Sequence, residues 1–333
     1  MSRLSVGDAS LTSILQRQGA FLKGQVQRAS TEMVTGKLTD LGAGVRGDFS
    51  PLAAIDASLS RLSGYKAATT DAGVFAQAMQ TVMATFSQIS GEVGTTLLRS
   101  ASLTTPAQVD TAAAEARARL GTALAGLNTK VSDRALFGGV VTDRPPLGSA
   151  DDLLTALQPT LAGAVTAADV ETAVKGWFTT TGGYDTFYQG GTPTGPILIA
   201  AGEEAEMSIT ALAPAFRDTL AGLAMAALLD RGLLFGQSSA RADLAQRAGL
   251  TLHAGEEKRA VLAARLGTVE KQIEDAKTRN SAEDTALKIS RSDIAAAEPF
   301  EAASRLKELQ SQLESLYLIT SRVSRLSLAE YLR

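Results

Sequence analysis

The sequence has no cysteine, a single histidine (His253), and few aromatic residues, which make up 5% of its 333 residues. Without cysteine, disulfide bonds, thiolate zinc sites and cysteine nucleophiles are excluded. One histidine cannot build a metal centre that needs several. Compact globular cores rely on large rings, whereas long helices packed along narrow seams need fewer of them. The composition therefore favours a helical protein over a rounded enzyme.

Long apolar runs and strong net charge are also missing. No apolar stretch approaches the roughly 18 residues that predict a membrane-spanning helix. The net charge is −3 and no segment carries a basic stripe, so a nucleic-acid partner is not expected. The first residues show neither an apolar core nor a small-residue cleavage site. We therefore expect that, if the protein leaves the cell, it is exported without a cleaved signal peptide.

Helical patterns occupy both ends of the chain. Residues 12–37 carry apolar side chains at intervals of three and four, which is typical of an amphipathic helix. Ser50-Pro51 and Thr105-Pro106 are start signals for two further helices. Residues 241–297 predict one long helix, which Pro299 ends, and a last helix follows.

Two heptad-like runs predict an intramolecular bundle, because an apolar seam of this spacing needs a partner helix. One is in the N-terminal half and one in the C-terminal half of the chain. The predicted bundle seam consists of Phe75, Met79, Val82, Phe86, Ile89, Leu262, Leu266, Val269, Ile273 and Leu287. Asn280 interrupts the second run, and a polar seam residue can fix the register of a helix pair.

Between the helical halves, residues 138–214 differ in character. They hold six of the nine prolines and the single tryptophan. The pattern indicates helices at 151–162 and 168–178, and short strands at 197–199 and 207–209. We interpret this region as a small α+β domain inserted between the helical halves.

The expected fold is mainly α: an elongated antiparallel helical bundle or coiled coil built from both chain ends, with the small α+β domain inserted. Three parts are predicted. Terminal helices comprise residues 1–40 and 300–333, and a helical rod comprises residues 41–137 and 215–299. The insert comprises residues 138–214. The halves should bury each other, because neither can bury its apolar seam alone.

Several short matches to catalytic or binding motifs are better explained as ordinary surface. Residues 42–47 read G-x-G-x-x-G, but a dinucleotide site needs a preceding strand, and here a helical pattern precedes the match. His253 lies beside Glu256 and Glu257 in a helical stretch, but it has no cysteine partner and no catalytic signature. Glu203, Glu204 and Glu206 lack the spacing of a calcium loop. We therefore expect no enzyme activity, no cofactor and no metal.

Four segments resemble the flagellin superfamily. Ala29–Lys37 is similar to the end of the first flagellin helix, and Asp48–Ala54 to the start of the next. Leu136–Gly139, followed by Pro145-Pro146, and the ending Ser327–Arg333 resemble the hook–filament junction branch of that superfamily, the third hook-associated proteins. The resemblance covers about 140 residues at the N-terminus and about 115 at the C-terminus, and it depends on the order of these segments.

The resemblance implies a structural protein exported unfolded through the flagellar type III apparatus. The expected location is outside the cell, in the bacterial flagellum at the hook–filament junction. The implied partners are the hook-side junction protein (the first hook-associated protein), flagellin, copies of the chain in a ring, and a flagellar export chaperone. In this superfamily the terminal helices are disordered in the monomer and form the inner tube on assembly.

The resemblance also assigns the assembly interface to the two terminal helices. The predicted interface residues are Ile14, Leu15, Phe21, Leu22, Val26, Met33, Leu309, Leu313, Leu316, Val323, Leu326 and Leu328. Three alternatives stay open. The chain could be a flagellin that forms the filament itself, an unrelated cytoplasmic coiled-coil adaptor, or an enzyme carried by the insert.

Overall fold

The computed structural model describes residues 6–103 and 105–331, and the side chains of residues 10, 13–102, 105–323 and 325. Within these residues the fold is mainly α, which confirms the predicted class. The helices are α1 (Val6–Thr35), α2 (Leu41–Gly44), α3 (Ser50–Leu103), α4 (Pro106–Leu127), α5 (Ala150–Leu157), α6 (Ala167–Thr179), α7 (Tyr184–Phe187), α8 (Pro214–Asp230), α9 (Ser238–Ala254), α10 (Glu256–Ile294) and α11 (Pro299–Tyr331). The strands are β1 (Lys130–Val131), β2 (Arg134–Ala135), β3 (Ile197–Ala200) and β4 (Glu203–Ala205).

Proline marks the start of four long helices. Pro106, Pro214 and Pro299 are the first residues of α4, α8 and α11, and Pro51 is the second residue of α3. The first turn of a helix leaves its N–H groups without intrahelical partners, so proline loses nothing there. The predicted starts at Pro51 and Pro106 and the break at Pro299 are confirmed.

The single helix expected over residues 241–297 is wrong, because the helix is interrupted at Gly255 between α9 and α10. A methyl group at Gly255 would lie 3.0 Å from Asp218 Cβ, so the close contact needs glycine. The buried guanidinium of Arg259 donates from Nη2 to the Leu252 carbonyl in the last turn of α9, at 3.1 Å. This side chain satisfies a carbonyl that a continuous helix would have bonded internally.

The chain forms two compact units. The terminal unit comprises the described parts of residues 1–61 and 282–333, and the central unit comprises residues 62–281. The boundaries fall inside α3 and α10. Each unit is described by itself below.

Helix α8 lies at the core of the central unit. Thirteen of its 17 residues are buried, and it packs against α4, α6 and α9. Phe216 at its first turn makes edge-to-face contacts with Phe86 of α3 and Phe137, at centroid distances of 4.9 and 5.3 Å. A helix that is apolar on all sides must be enclosed by other elements, and α8 is.

Residues 138–214 contribute to the same central unit. Capping boxes start α5 at Ser149 and α6 at Thr166, in agreement with the two predicted helices. The strand expected at 207–209 is wrong. The hairpin turns at Gly202, where φ is +72°, so Glu203–Ala205 pair with β3 instead. The three-part domain division remains a prediction.

Candidate assembly surface

In the terminal unit, α1 and α11 pack against each other as an antiparallel pair. A methyl group at Gly19 would lie 3.5 Å from Leu316 Cδ2, and the Lys23 ammonium lies 5.7 Å from the centroid of the Tyr317 ring. Further along the pair, the charge of Arg305 acts on the Glu32 carboxylate. Residue numbers rise along α1 as they fall along α11, so the two terminal helices run side by side in opposite directions.

A short β-bridge fixes the register of this pair. The Leu38 amide donates to the Ala295 carbonyl and the Ala297 amide donates to the Gly36 carbonyl, both at 3.0 Å. Gly36 has a φ of +66°, a left-handed conformation that ends α1 and favours glycine. These bonds tie the end of α1 to the α10–α11 connection.

A buried carboxylate strengthens the same end of α1. Glu32 accepts hydrogen bonds from the Thr39 hydroxyl at 2.6 Å and from the Thr39 amide at 3.0 Å. The hydroxyl bond is the main reason that the pKa of Glu32 lies below its ordinary value, and the charges of Arg305 and Arg28 add to it. The chain that leaves α1 is therefore held by the last turn of α1 itself.

The described members of the predicted assembly set divide into three groups by exposure. Leu22 is buried, with 5% of its surface exposed, while Ile14, Phe21 and Met33 are more than half exposed. The remaining described members are half-buried: Leu15, Val26, Leu309, Leu313, Leu316 and Val323. The side chains of Leu326 and Leu328 lie outside the described residues. The α1–α11 pair thus covers part of the predicted set and leaves part of it open.

Sequence reasoning missed a second group of exposed apolar residues on α11. Tyr317, Leu318 and Ile319 are each about half exposed or more. Three consecutive apolar residues point to different sides of a helix, and a helix that is apolar on several sides needs several neighbours. The three consecutive apolar residues could therefore have been read from the sequence as a contact surface. A search for apolar residues at heptad spacing does not find them.

Burial within the pair is slight. Among the described side chains of α1, only Leu22, Ala29 and Glu32 are buried, and among those of α11 only Ala302 is buried. Helix formation in water depends largely on burying an apolar face against a partner. Two long helices with so little buried surface have apolar surface available for further contacts.

The predicted bundle seam falls mostly in the central unit. Its buried members are Met79, Val82, Phe86, Ile89, Leu266 and Ile273, and its half-buried members there are Phe75, Leu262 and Val269. All nine belong to or pack on one hydrophobic cluster. Leu287 is half-buried and belongs to the terminal unit.

Asn280, the polar member of the second heptad run, is buried and bonds outside the helix pair. Its amide Nδ2 donates to the Ile199 carbonyl of β3 at 2.8 Å. Nearby, Gln272 donates to the Glu204 carbonyl at 3.1 Å and Arg279 pairs with Glu203. The polar face of α10 therefore fixes the β3–β4 hairpin.

The residues that resembled catalytic or metal-binding motifs take ordinary structural positions. Residues 41–44 form the short helix α2, preceded by α1 rather than by a strand. Glu206 accepts a hydrogen bond from the Ser208 hydroxyl at 2.9 Å. Among the described residues, no three His, Asp or Glu side chains are grouped to hold a metal ion. No helix in the described part of the chain is long and apolar enough to cross a membrane.

Comparisons with known proteins give a family match at the C-terminal end of the chain and likenesses to solved structures. Residues 258–332, which contain nearly all of α10 and α11, match the family model of the bacterial flagellin C-terminal helical region. No curated protein matches the sequence. Among solved structures, one described as a flagellar hook-associated protein from Vibrio parahaemolyticus is similar over 73% of this chain and 95% of that chain. The TM-score is 0.49 and the sequence identity is 12%.

Proposed function

We propose that this chain joins the hook-side junction protein to the flagellin filament. The premise is that it belongs to the flagellin superfamily through its C-terminal helical region and is a structural protein of the flagellum. The chain reaches this place through the flagellar type III apparatus, with the help of an export chaperone, and forms a ring of copies outside the cell. In this role it works mechanically, without catalysis or a cofactor.

One observation supports the proposal above others: the α1–α11 pair joins the family-matched C-terminal region to the N-terminal helix and leaves apolar side chains open. Phe21 on α1 and Leu318 on α11 are both more than half exposed. Such surface is costly for a monomer and marks a site of protein contact. Neighbouring subunits that pack their own helix pairs against it would bury it.

The junction role, rather than that of filament subunit, is supported by the sequence ending Ser327–Arg333 and by the small size of residues 138–214. The predicted parts then have distinct tasks. Helices in 1–40 and 300–333 make the lattice contacts, and the rod of 41–137 and 215–299 supports them through its bundle seam.

A deletion strain tests the proposal. If the chain is the adaptor, cells without it keep their hooks, lose their filaments and release flagellin into the medium, because flagellin then has no lattice to add to. A plasmid copy of the wild-type chain restores motility. If the chain is itself the filament subunit, the medium of the deletion strain contains no filament protein. Normal motility after deletion would exclude any flagellar structural role and favour an unrelated adaptor.

A further inference from the structure

The loop between α8 and α9 holds an aromatic side chain in solvent. Phe235 is 87% exposed, more than any other large apolar side chain described. Its neighbour Leu234 is buried and has a φ of +58°, a left-handed conformation that costs a non-glycine residue free energy. Gly232 and Gly236 on either side also have positive φ, at +88° and +79°. The loop thus adopts an uncommon backbone that buries Leu234 and turns Phe235 outward.

Arg241 holds this loop in place. Its guanidinium is largely buried and donates to the carbonyls of Leu233 at 2.7 Å and Leu229 at 2.9 Å, and to Asp110 Oδ1 at 2.7 Å. Arginine presents its donors in a fixed fork, so three acceptors on α4, on α8 and on the loop itself fix the backbone position. Phe235 is therefore a rigid knob rather than a side chain on a loose loop.

A groove lies at the other end of α8. It has a volume of about 1040 Å³ and is lined on one side by α10 and on the other by the segment after α7 and the segment before α8. Its apolar lining is provided by Tyr188, Ile209, Leu212, Leu262, Leu266 and Val269. The Tyr188 ring is fixed as a wall, because its hydroxyl donates to the Gly191 carbonyl at 3.0 Å.

The charged groups of the groove suit the aromatic ring and the helix N-terminus at the knob. The exposed Arg265 lines the groove, and a guanidinium is attracted to the face of an aromatic ring. Asp185 and Glu206 also line the groove. Beside the knob, α9 begins without a side-chain cap, so the positive end of its dipole lies next to Phe235 and suits these carboxylates.

The knob and the groove cannot meet within one chain. The groove includes Pro214, the first residue of α8, and the knob follows Asp230, its last residue. These positions are about 24 Å apart at 1.5 Å per residue. A contact between these two different patches on two copies would be head-to-tail, the type of contact that builds rings and filaments.

We propose that Phe235 of one copy inserts into the groove of the next copy, between Leu212 and Val269 and against Arg265. This inference rests on the proposed function, since it needs copies arranged side by side. A buried phenylalanine contributes on the order of 150–250 Å², well below the roughly 800 Å² per partner of a stable pair. The contact therefore forms only where the lattice already holds the copies together, as a second linkage with a high effective concentration.

Photo-crosslinking in assembled flagella tests this contact. Phe235 is replaced by the photoreactive aromatic analogue benzoylphenylalanine, cells are irradiated, and crosslinked peptides are mapped by mass spectrometry. The expected product joins residue 235 of one copy to residues 206–214 or 262–269 of another. The matched control carries the same analogue at Val165, an exposed residue of the same unit, and should give no crosslink into the groove. A Thr268→Trp change, which fills the groove, should lower the yield from position 235 about tenfold.

Crosslinks from position 235 to flagellin, to another flagellar protein or to a different surface of this chain would overturn the contact, and so would no crosslink at all. Antibody labelling of the same cells separates the two proposals. Absence of the protein from the flagellum contradicts the proposed function. Presence in the flagellum with crosslinks elsewhere contradicts the knob-and-groove contact alone.

Discussion

Glycines in the central unit let α8 and α9 approach their neighbours closely. Gly249 of α9 is buried, and a methyl group there would lie 3.0 Å from the Gly94 carbonyl and 2.9 Å from Leu98 Cγ. A methyl group at Gly222 of α8 would lie 2.7 Å from Leu252 Cγ. These contacts belong to a unit whose helices are rich in alanine and poor in large side chains. In such close packing, adding a single methyl group changes the stability of the unit.

Alanine substitution should have opposite effects on the free energy of unfolding at Gly249 and at Gly121. Gly249→Ala should lower the free energy of unfolding by about 1–3 kcal/mol, because the added methyl meets backbone that must move. Gly121→Ala in α4, where nothing lies within 4 Å of the added methyl, should raise it by about 0.5–1 kcal/mol through the gain in helix propensity. Thermal unfolding of both variants checks this. Equal effects would contradict the close approach.

The Glu32–Thr39 interaction should depend on pH with a defined sign. A lowered pKa in the folded state means that ionised Glu32 stabilises the fold above the ordinary glutamate pKa. That contribution is lost as the pH falls through the lowered value. Hydrogen exchange at the Thr39 amide should be faster in Glu32→Gln than in the wild type at neutral pH, and the difference should vanish in acid. Glu301→Gln, at an exposed site, is the control. Equal exchange rates at neutral pH would refute the interaction.

Single residues show where sequence reasoning stops. The sequence shows Asn280 as a polar residue in an apolar run, and the structure shows that it is buried. Its hydrogen-bond partner, the Ile199 carbonyl, comes from a hairpin 81 residues away, which no spacing within α10 reveals. Phe235 gave no signal either, since its exposure results from the positive φ of Leu234 and from the hydrogen bonds of Arg241 to the same loop.

At the scale of elements, the sequence predicted those helix boundaries that depend only on neighbouring residues. Proline at a first turn acts within one residue, so Pro51, Pro106 and Pro299 gave correct boundaries. The break at Gly255 depends on contacts with Asp218 and Arg259, and the periodicity of the surrounding residues continues across it. The second strand was misplaced because pairing with β3, rather than apolar content, decides which residues extend.

The α1–α11 pair offers a test of which apolar residues serve the monomer and which serve assembly. Leu22→Ala removes a buried side chain and should weaken the pair by about 2 kcal/mol or more. Phe21→Ala removes the exposed neighbouring side chain and should change monomer stability by less than about 0.5 kcal/mol. It should nevertheless lower the amount of protein incorporated into flagella. Thermal unfolding and quantitative blotting give the two readouts. Unaffected incorporation of Phe21→Ala would argue against this exposed face as an interface.

At the scale of the whole molecule, the two units differ in how much they bury. The central unit has a large continuous core, whereas the described helices of the α1–α11 pair bury few side chains. Local stability follows buried contacts, so opening should begin in the terminal helices.

Limited proteolysis of the monomer should show this difference. A brief digest should cut first within α1 and α11 and leave a fragment that contains residues 62–281. The fragment is identified by intact mass. In assembled flagella the same sites should be protected, because neighbouring subunits cover them. A monomer in which both terminal helices resist digestion while the central unit is cut would contradict the expectation that their order depends on assembly.

The central proposal is that this chain, whose residues 258–332 match the flagellin C-terminal region, is a junction subunit rather than the filament subunit. Immunogold electron microscopy with an antibody against residues 138–214 measures its place along the flagellum directly. The account predicts gold particles in a short band at the distal end of the hook. Gold along the whole filament, or its absence from the flagellum, would contradict it.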